Sequence, residues 1–248
     1  MKKIAITGAS GFIGQELVKF LSNFDYEITA VYYKNKPKKI YSSKINYIKI
    51  NINRSCDFYK KLNEPDVLIH LAWSDLSNYN SINHTNVIAP LHEKFLKNMI
   101  KNGLKNLFCM GTCFEYGKVN GALEETFESF PNNNYAKSKL NLYKSILKIK
   151  KKNKFNLVWG RLFYIYGKNQ HNTIYSQLID SIKKNKKEFK MSEGLQVRDY
   201  LSINQVVYYI YLLSLNNLDI GIVNICSGRG IVLKKIVENW IKKLNSNI

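Results

Sequence analysis

Short apolar, β-branched runs alternate along this chain with longer stretches in which apolar residues recur every three or four positions. The runs Ile4–Ile6, Ile28–Tyr32, Tyr47–Ile50, Val67–His70, Leu107–Met110 and Leu157–Arg161 predict strands, since short and nearly unbroken apolar runs fit strands covered on both faces. Between them, Gln15–Ser22, Ala89–Lys101 and Ala136–Lys151 carry the helical period, and in the second Leu91, Phe95, Leu96 and Met99 share one stripe. Strand and helix in alternation predict βαβ units, hence an α/β protein with a doubly wound parallel sheet of Rossmann type. The pattern changes after Gly167. Helical stretches at Tyr175–Lys184 and Gln205–Leu213, a glycine-containing loop at Ser192–Gln196 and a strand at Val223–Cys226 predict a smaller second lobe, partly interleaved with the first. The expected division is therefore 1–165 and 166–248.

Charge changes the picture less than its size implies. The 248 residues carry a formal charge of +20, which raises a nucleic-acid partner as one possibility. Only Arg54, Arg161, Arg198 and Arg229 are arginines, however, whereas nucleic-acid surfaces rely on the planar guanidinium fork. Lysines mixed with Asn and Ile read instead as solvated surface, and no specific nucleic acid is expected. The basic N-terminus is broken by Thr7 and Gly8 before a signal-type apolar region can form, and no run approaches the ~18 apolar residues of a membrane span. A cytoplasmic location is the expectation. Cys56, Cys109, Cys113 and Cys226 lack paired spacing, and His70, His84, His92 and His171 lack metal-binding spacing, so reduced thiols and no metal are expected.

Two segments carry chemistry. Thr7-Gly8-Ala9-Ser10-Gly11-Phe12-Ile13-Gly14 lies between the first strand and the first helix, where glycines permit a tight turn and the helix N-terminus offers free N–H groups to a pyrophosphate. At the end of the second strand, an enzyme for NAD would place an acid against the ribose 2′-OH; Val31-Tyr32-Tyr33-Lys34-Asn35-Lys36 has none. Lys34 and Lys36 would attract a 2′-phosphate, so NADP(H) is favoured over NAD(H), the alternative being loop lysines that merely face water. Further along, Tyr135 and Lys139 stand four residues apart at a helix start, on one face. A phenol of pKa about 10 is a poor acid–base group near neutrality, and a neighbouring ammonium favours its phenolate, so Lys139 is expected to tune Tyr135.

The GxxGxxG spacing, Asp66-Val67-Leu68-Ile69-His70-Leu71-Ala72, Gly111-Thr112-Cys113-Phe114-Glu115-Tyr116-Gly117, the Tyr135–Lys139 pair, Arg161-Leu162-Phe163-Tyr164-Ile165-Tyr166-Gly167 and Gly194-Leu195-Gln196-Val197-Arg198-Asp199-Tyr200 together resemble one family. It is the extended short-chain dehydrogenase/reductases, specifically the NAD-dependent epimerase/dehydratase family and its nucleotide-sugar 4-ketoreductase and epimerase branch. The resemblance runs from residue 4 to about 240, with Asn51 where the family usually has Asp and Tyr164 where it more often has Asn. It implies a catalytic Thr112, Tyr135 and Lys139. It implies cofactor contacts from Gly8, Gly11, Phe12, Ile13, Gly14, Tyr33, Lys34, Asn51, Ile52, Leu71, Ala72, Trp73, Tyr135, Lys139 and Phe163. Substrate contacts fall to Thr112, Phe114, Tyr164, Asn172 and Arg198, whose fork suits a diphosphate unless it pairs with Asp199.

The implied reaction is NADPH-dependent reduction at C4 of a nucleotide-linked 4-keto-6-deoxy sugar of dTDP- or CDP-hexose type. The alternatives are a C4-epimerase with tightly held NAD and, more remotely, a non-catalytic relative that binds RNA or cofactor. Relatives run past the position of Ile248 with a segment that completes the nucleotide pocket, so the second lobe reads as short. A homodimer is also expected through Ala89–Lys101 and Ala136–Lys151, whose apolar residues exceed what packing on one sheet would consume.

Overall fold

The structure is a computed structural model and describes residues 1–37, 41, 42, 44–54, 56–246 and 248. The chain runs β1 (Lys2–Thr7), α1 (Phe12–Leu21), β2 (Tyr26–Tyr32), β3 (Ile45–Lys49), α2 (Phe58–Lys61), β4 (Val67–His70), a π-helical turn (His84–Ile88), α3 (Ala89–Lys101), β5 (Asn106–Thr112) and a 3₁₀ turn (Cys113–Tyr116). It continues as α4 (Asn134–Lys150), β6 (Asn156–Leu162), β7 (Tyr164–Tyr166), α5 (Ile174–Lys183), β8 (Val197–Ser202), α6 (Ile203–Leu215), β9 (Gly221–Ile225), β10 (Gly230–Val232) and α7 (Leu233–Lys243).

Seven strands form one sheet in the order β3-β2-β1-β4-β5-β6-β9, every pair parallel. Helices cover both faces of such a sheet, which is why Val67-Leu68-Ile69-His70 is buried at every position rather than at alternate ones. The order reverses between β1 and β4, and a doubly wound sheet opens its ligand crevice at the carboxyl ends of the strands at that point. A smaller sheet pairs β10 with β8 antiparallel and β8 with β7 parallel.

Chain contacts divide the molecule into two units, Met1–Leu162 with Val207–Ile225, and Phe163–Val206 with Cys226–Ile248. The stretch 207–225, expected in the second lobe, thus lies in the first unit, because β9 extends the large sheet beside β6. In the first unit Leu68, Phe95, Leu96, Met99, Leu107, Leu142, Ile146 and Trp159 form the centre of the core. In the second, Leu178, Leu233, Ile236, Val237 and Trp240 form a separate core.

Predicted helix Ala89–Lys101 and predicted strand Val67–His70 have the observed bounds, while β1, β2 and β5 run two or three residues longer than their apolar runs. The periodicity missed β7, β8, β10 and α7. Three of these are strands of three to six residues rich in polar or aromatic side chains. Of the apolar residues on α3 and α4 that raised the expectation of a homodimer, Phe95, Leu96, Met99, Ile100, Leu140 and Ile146 are buried, while Leu91, Tyr143 and Leu147 are half-buried.

Candidate active site

The first loop of the crevice is fixed by backbone crowding. Gly8 sits at φ +72°, and a Cβ there would lie 2.9 Å from the Ala72 nitrogen; at Gly14 it would lie 2.1 Å from the Gly8 oxygen. These two glycines let the turn after β1 press against both the segment after β4 and its own helix. Gly11 is exposed and caps α1 with no side chain, and the first turn holds no acid. The uncapped N–H groups and the positive end of the helix are therefore free to take an anion, and this arrangement fits the pyrophosphate of a dinucleotide. Phe12, Ile13, Leu71 and Ala72 line the same region half-buried. Tyr33 and Lys34 are exposed after β2, and no acid stands among residues 31–37. Asn51, half-buried, turns its Oδ1 to the Asn53 N–H at 3.0 Å, which leaves that oxygen one lone pair for another donor.

Tyr135 enters at the first turn of α4. The first N–H groups of a helix lack internal partners. Here the Asn133 side chain accepts from the Ala136 N–H at 2.9 Å, and the Tyr79 carbonyl accepts from the Tyr135 N–H at 2.9 Å. The Tyr79 ring stacks on Tyr135 with centroids 5.1 Å apart, and Phe114 meets Tyr79 edge-on at 5.4 Å. The Thr112 side chain acts on the Tyr135 hydroxyl in favour of its ionised form. Burial, with smaller contributions from Tyr79 and Glu115, pushes the phenol above its usual range, against the opposing pull of Thr112. The four-residue spacing led to the expectation that Lys139 lowers this pKa; in the protein as it stands, desolvation raises it.

Lys139 is buried, donates to the Met110 carbonyl at 2.8 Å, and holds its ammonium 4.0 Å from the centroid of the Trp73 ring. Burial drives its pKa down to about 8. Trp73 is itself clamped: its Nε1 donates to His84 Nδ1 at 3.2 Å, its face stacks on His92 at 4.8 Å, and its edge meets Tyr135 at 6.0 Å. His92 bonds His70 at 2.7 Å, and His70 bonds the Thr7 hydroxyl at 2.8 Å. The Ala72 N–H donates to the same hydroxyl at 3.3 Å, so Thr7, His70 and His92 form one buried hydrogen-bonded chain anchored on the segment after β4. Both rings are held neutral by burial, His92 with its pKa lowered to about 3.

Thr112 is positioned by a second buried group. Glu115 accepts from the Thr112 N–H at 2.9 Å, from Trp159 Nε1 at 3.1 Å and from Arg161 Nε at 2.9 Å. Arg161 also donates to Ser129 at 2.6 Å and lies 4.2 Å over the Tyr116 ring. Sequence reasoning named neither Glu115 nor Arg161 as supports, and it missed His92 and Tyr79. A signal existed for His92, which shares the stripe of Phe95, Leu96 and Met99 on a face that is otherwise apolar.

The remaining expected residues belong to the second unit: Phe163 and Tyr164 are half-buried, while Asn172 and Arg198 are exposed. Arg198 donates to the Val197 carbonyl at 2.7 Å and lies 5.4 Å from the Tyr164 ring. The alternative pairing with Asp199 is not formed, because that carboxylate accepts from the Ser227 N–H at 2.8 Å and the Arg229 N–H at 3.0 Å.

A doubly wound sheet with a glycine turn at its switch point and a helix-borne Tyr/Lys pair beside a threonine at the end of β5 defines an extended short-chain dehydrogenase/reductase. The chain belongs to the NAD dependent epimerase/dehydratase family, whose model matches residues 4–226. It is 26% identical over 252 residues to a dTDP-6-deoxy-L-talose 4-dehydrogenase (NAD(+)) of Aggregatibacter actinomycetemcomitans, covering 99% of this chain and 92% of that protein. A GDP-6-deoxy-D-talose 4-dehydrogenase of the same organism is 24% identical, with 95% and 78% covered. Among solved structures, a UDP-N-acetylglucosamine 4-epimerase from Methanobrevibacter ruminantium M1 superposes with a TM-score of 0.85 at 20% identity, over 100% of this chain and 83% of that one.

Proposed function

We propose that the protein is a nucleotide-sugar oxidoreductase that exchanges hydride between a nicotinamide dinucleotide and C4 of a dTDP-linked 6-deoxyhexose. The observation that carries this reading is the Thr112 side chain set beside the Tyr135 hydroxyl at the end of β5, one helical turn from the buried Lys139. Two hydroxyls so arranged converge on one oxygen, as a carbonyl undergoing reduction requires. When bound, the nicotinamide supplies the hydride or accepts it. In the reductive direction Tyr135, held protonated by burial, gives its proton to the oxygen developing at C4, and the Thr112 hydroxyl donates a hydrogen bond to that oxygen. In the oxidative direction the same phenol oxygen receives the proton. Glu115 fixes the Thr112 backbone throughout. The names of the two 4-dehydrogenases support the position attacked and the 6-deoxy class of sugar.

For the cofactor we favour NAD(H), in place of the NADP(H) expected from Lys34 and Lys36. The relative that this chain matches over 99% of its length carries NAD(+) in its name, and an exposed lysine with water on all sides is a weak reason for 2′-phosphate selection. Support for net redox over epimerisation comes from the two 4-dehydrogenases. The test is NADH and NADPH oxidation against dTDP-, CDP-, GDP- and UDP-linked 4-keto-6-deoxy sugars. Stoichiometric loss of NADH absorbance with the dTDP sugar is expected, reduced about 10²–10⁴-fold in Tyr135→Phe with NADH binding retained. Retention of NAD through purification, with interconversion of two 4-hydroxy sugars and no added cofactor, would establish the epimerase instead.

A further inference from the structure

Lys139 is a buried cation without a carboxylate against its ammonium. Among the described residues no ion pair includes it; its ammonium has the Met110 carbonyl at 2.8 Å and the face of Trp73 at 4.0 Å. An ammonium has three N–H donors, so the ring face occupies a quadrant that would otherwise hold water or an acid. Trp73 is not free to turn away. His84 holds its Nε1, and His92 backs its face and is in turn tied through His70 to Thr7, the residue at the mouth of the glycine turn.

We propose that Trp73 is a positioning residue for Lys139, its ring keeping the lysine an ammonium at neutral pH, with the Thr7–His70–His92 chain as the rigid backing that holds the ring in place. This rests on the reading above in which Lys139 takes part in the reaction.

Besides the ring, Cys109 and Glu115 act through space in favour of the ammonium, against the cost of burial. The titratable groups facing Lys139 are His70 from β4, His92 from α3, Cys109 from β5, Glu115 from the following turn, and Tyr135 one turn earlier on α4. The two histidines are held neutral by burial, and the Cys109 thiol is pushed up to about 12. Tyr135 is raised above its usual range, and Glu115 is committed to Arg161. Burial already brings Lys139 down to about 8, close to the pH at which it must stay charged. Loss of even a modest stabiliser of the ammonium would then discharge it within the working range. Two neutral histidines behind the ring also do what two charged ones could not, since a cation there would repel the ammonium.

The test uses the full chain labelled with ¹³C-lysine, following the Lys139 Cε resonance against pH, with Lys139→Met supplying the assignment. Wild type should titrate near pH 8. Trp73→Leu should lower that midpoint by about one pH unit, a tenfold change in acid constant, and Trp73→Phe by less, because a smaller ring face is retained. An unmoved midpoint in Trp73→Leu, or an equal fall in Phe and Leu, overturns the proposal. Should the Leu variant not fold, Trp73→Phe decides alone: a downward shift supports the proposal and none refutes it. The pH profile of kcat/KM separates the two readings. If its alkaline limb follows the NMR midpoint downward, both hold. If the midpoint moves while the limb stays, Trp73 positions Lys139 but Lys139 has no part in the reaction. A purely structural tryptophan would lower kcat evenly at every pH.

Discussion

Among the described residues of the first unit two cations are buried, and they are treated in opposite ways. Arg161, 1% exposed, faces a carboxylate that also accepts from Trp159 and the Thr112 backbone; the Glu115 and Tyr116 side chains raise its pKa against the cost of burial. Lys139, 2% exposed, has a carbonyl and an aromatic face, and burial lowers its pKa to about 8. The first arrangement fixes a charge permanently, which suits a group whose role is to hold β5 and β6 in register beside Thr112. The second leaves the charge close to its titration point, which suits a group that must respond when a ligand brings or removes charge. Strong compensation makes a support, and weak compensation makes a poised group.

The largest test of this contrast is Arg161→Met. Removing one partner strands Glu115 in the core, and we expect a loss of about 3–5 kcal/mol in urea unfolding. Addition of Glu115→Gln should restore much of it, since the uncompensated charge goes too. A single-variant loss below about 1 kcal/mol would mean that the pair is not the fixed support described.

Lys139→Met should behave in the opposite manner, losing turnover without losing stability. The folded pKa is depressed from 10.5 to about 8, so between those values the unfolded chain keeps a proton that the folded protein has released. The unfolding free energy should therefore rise by about 3 kcal/mol as pH climbs from 8 to 10.5, the burial penalty being fully present below pH 8. Urea titrations of wild type across that window should carry this rise, and Lys139→Met should lack it. Equal slopes in the two proteins would remove the basis for calling Lys139 poised.

Arg198 is the exposed third case and the smallest. Its exposed guanidinium meets a neighbouring carbonyl and lies 5.4 Å over the Tyr164 ring, so Arg198→Ala should leave stability within about 0.5 kcal/mol. If it binds the sugar diphosphate, the KM for nucleotide sugar should rise by about 2 kcal/mol, roughly thirtyfold, with NADH affinity unchanged. A parallel loss of NADH binding would assign it to the cofactor instead.

The sequence by itself determined six of the seven strands of the large sheet, the helices α1, α3 and α4, and the dinucleotide turn. Each is written in local terms: apolar runs short enough to be strands, a stripe such as Leu91–Met99, and glycines at 8 and 14 where any Cβ would strike backbone. The same locality exposed Tyr135 and Lys139, which share a face because four residues nearly complete a helical turn. It could not reveal β7, β8 or β10, whose pairing partners rather than composition make them strands. Nor could it assign 207–225 to the first unit, a placement made by β9 adding to β6. Only the tertiary structure joined Thr7 to His70 across 63 positions, His70 to His92 across 22, and Glu115 to Arg161 across 46. It also set the protonation of the candidate site. Spacing predicts that a lysine will lower a tyrosine's pKa, but the sign depends on how much water each group has lost, and burial is a property of the packed molecule rather than of any segment of its chain.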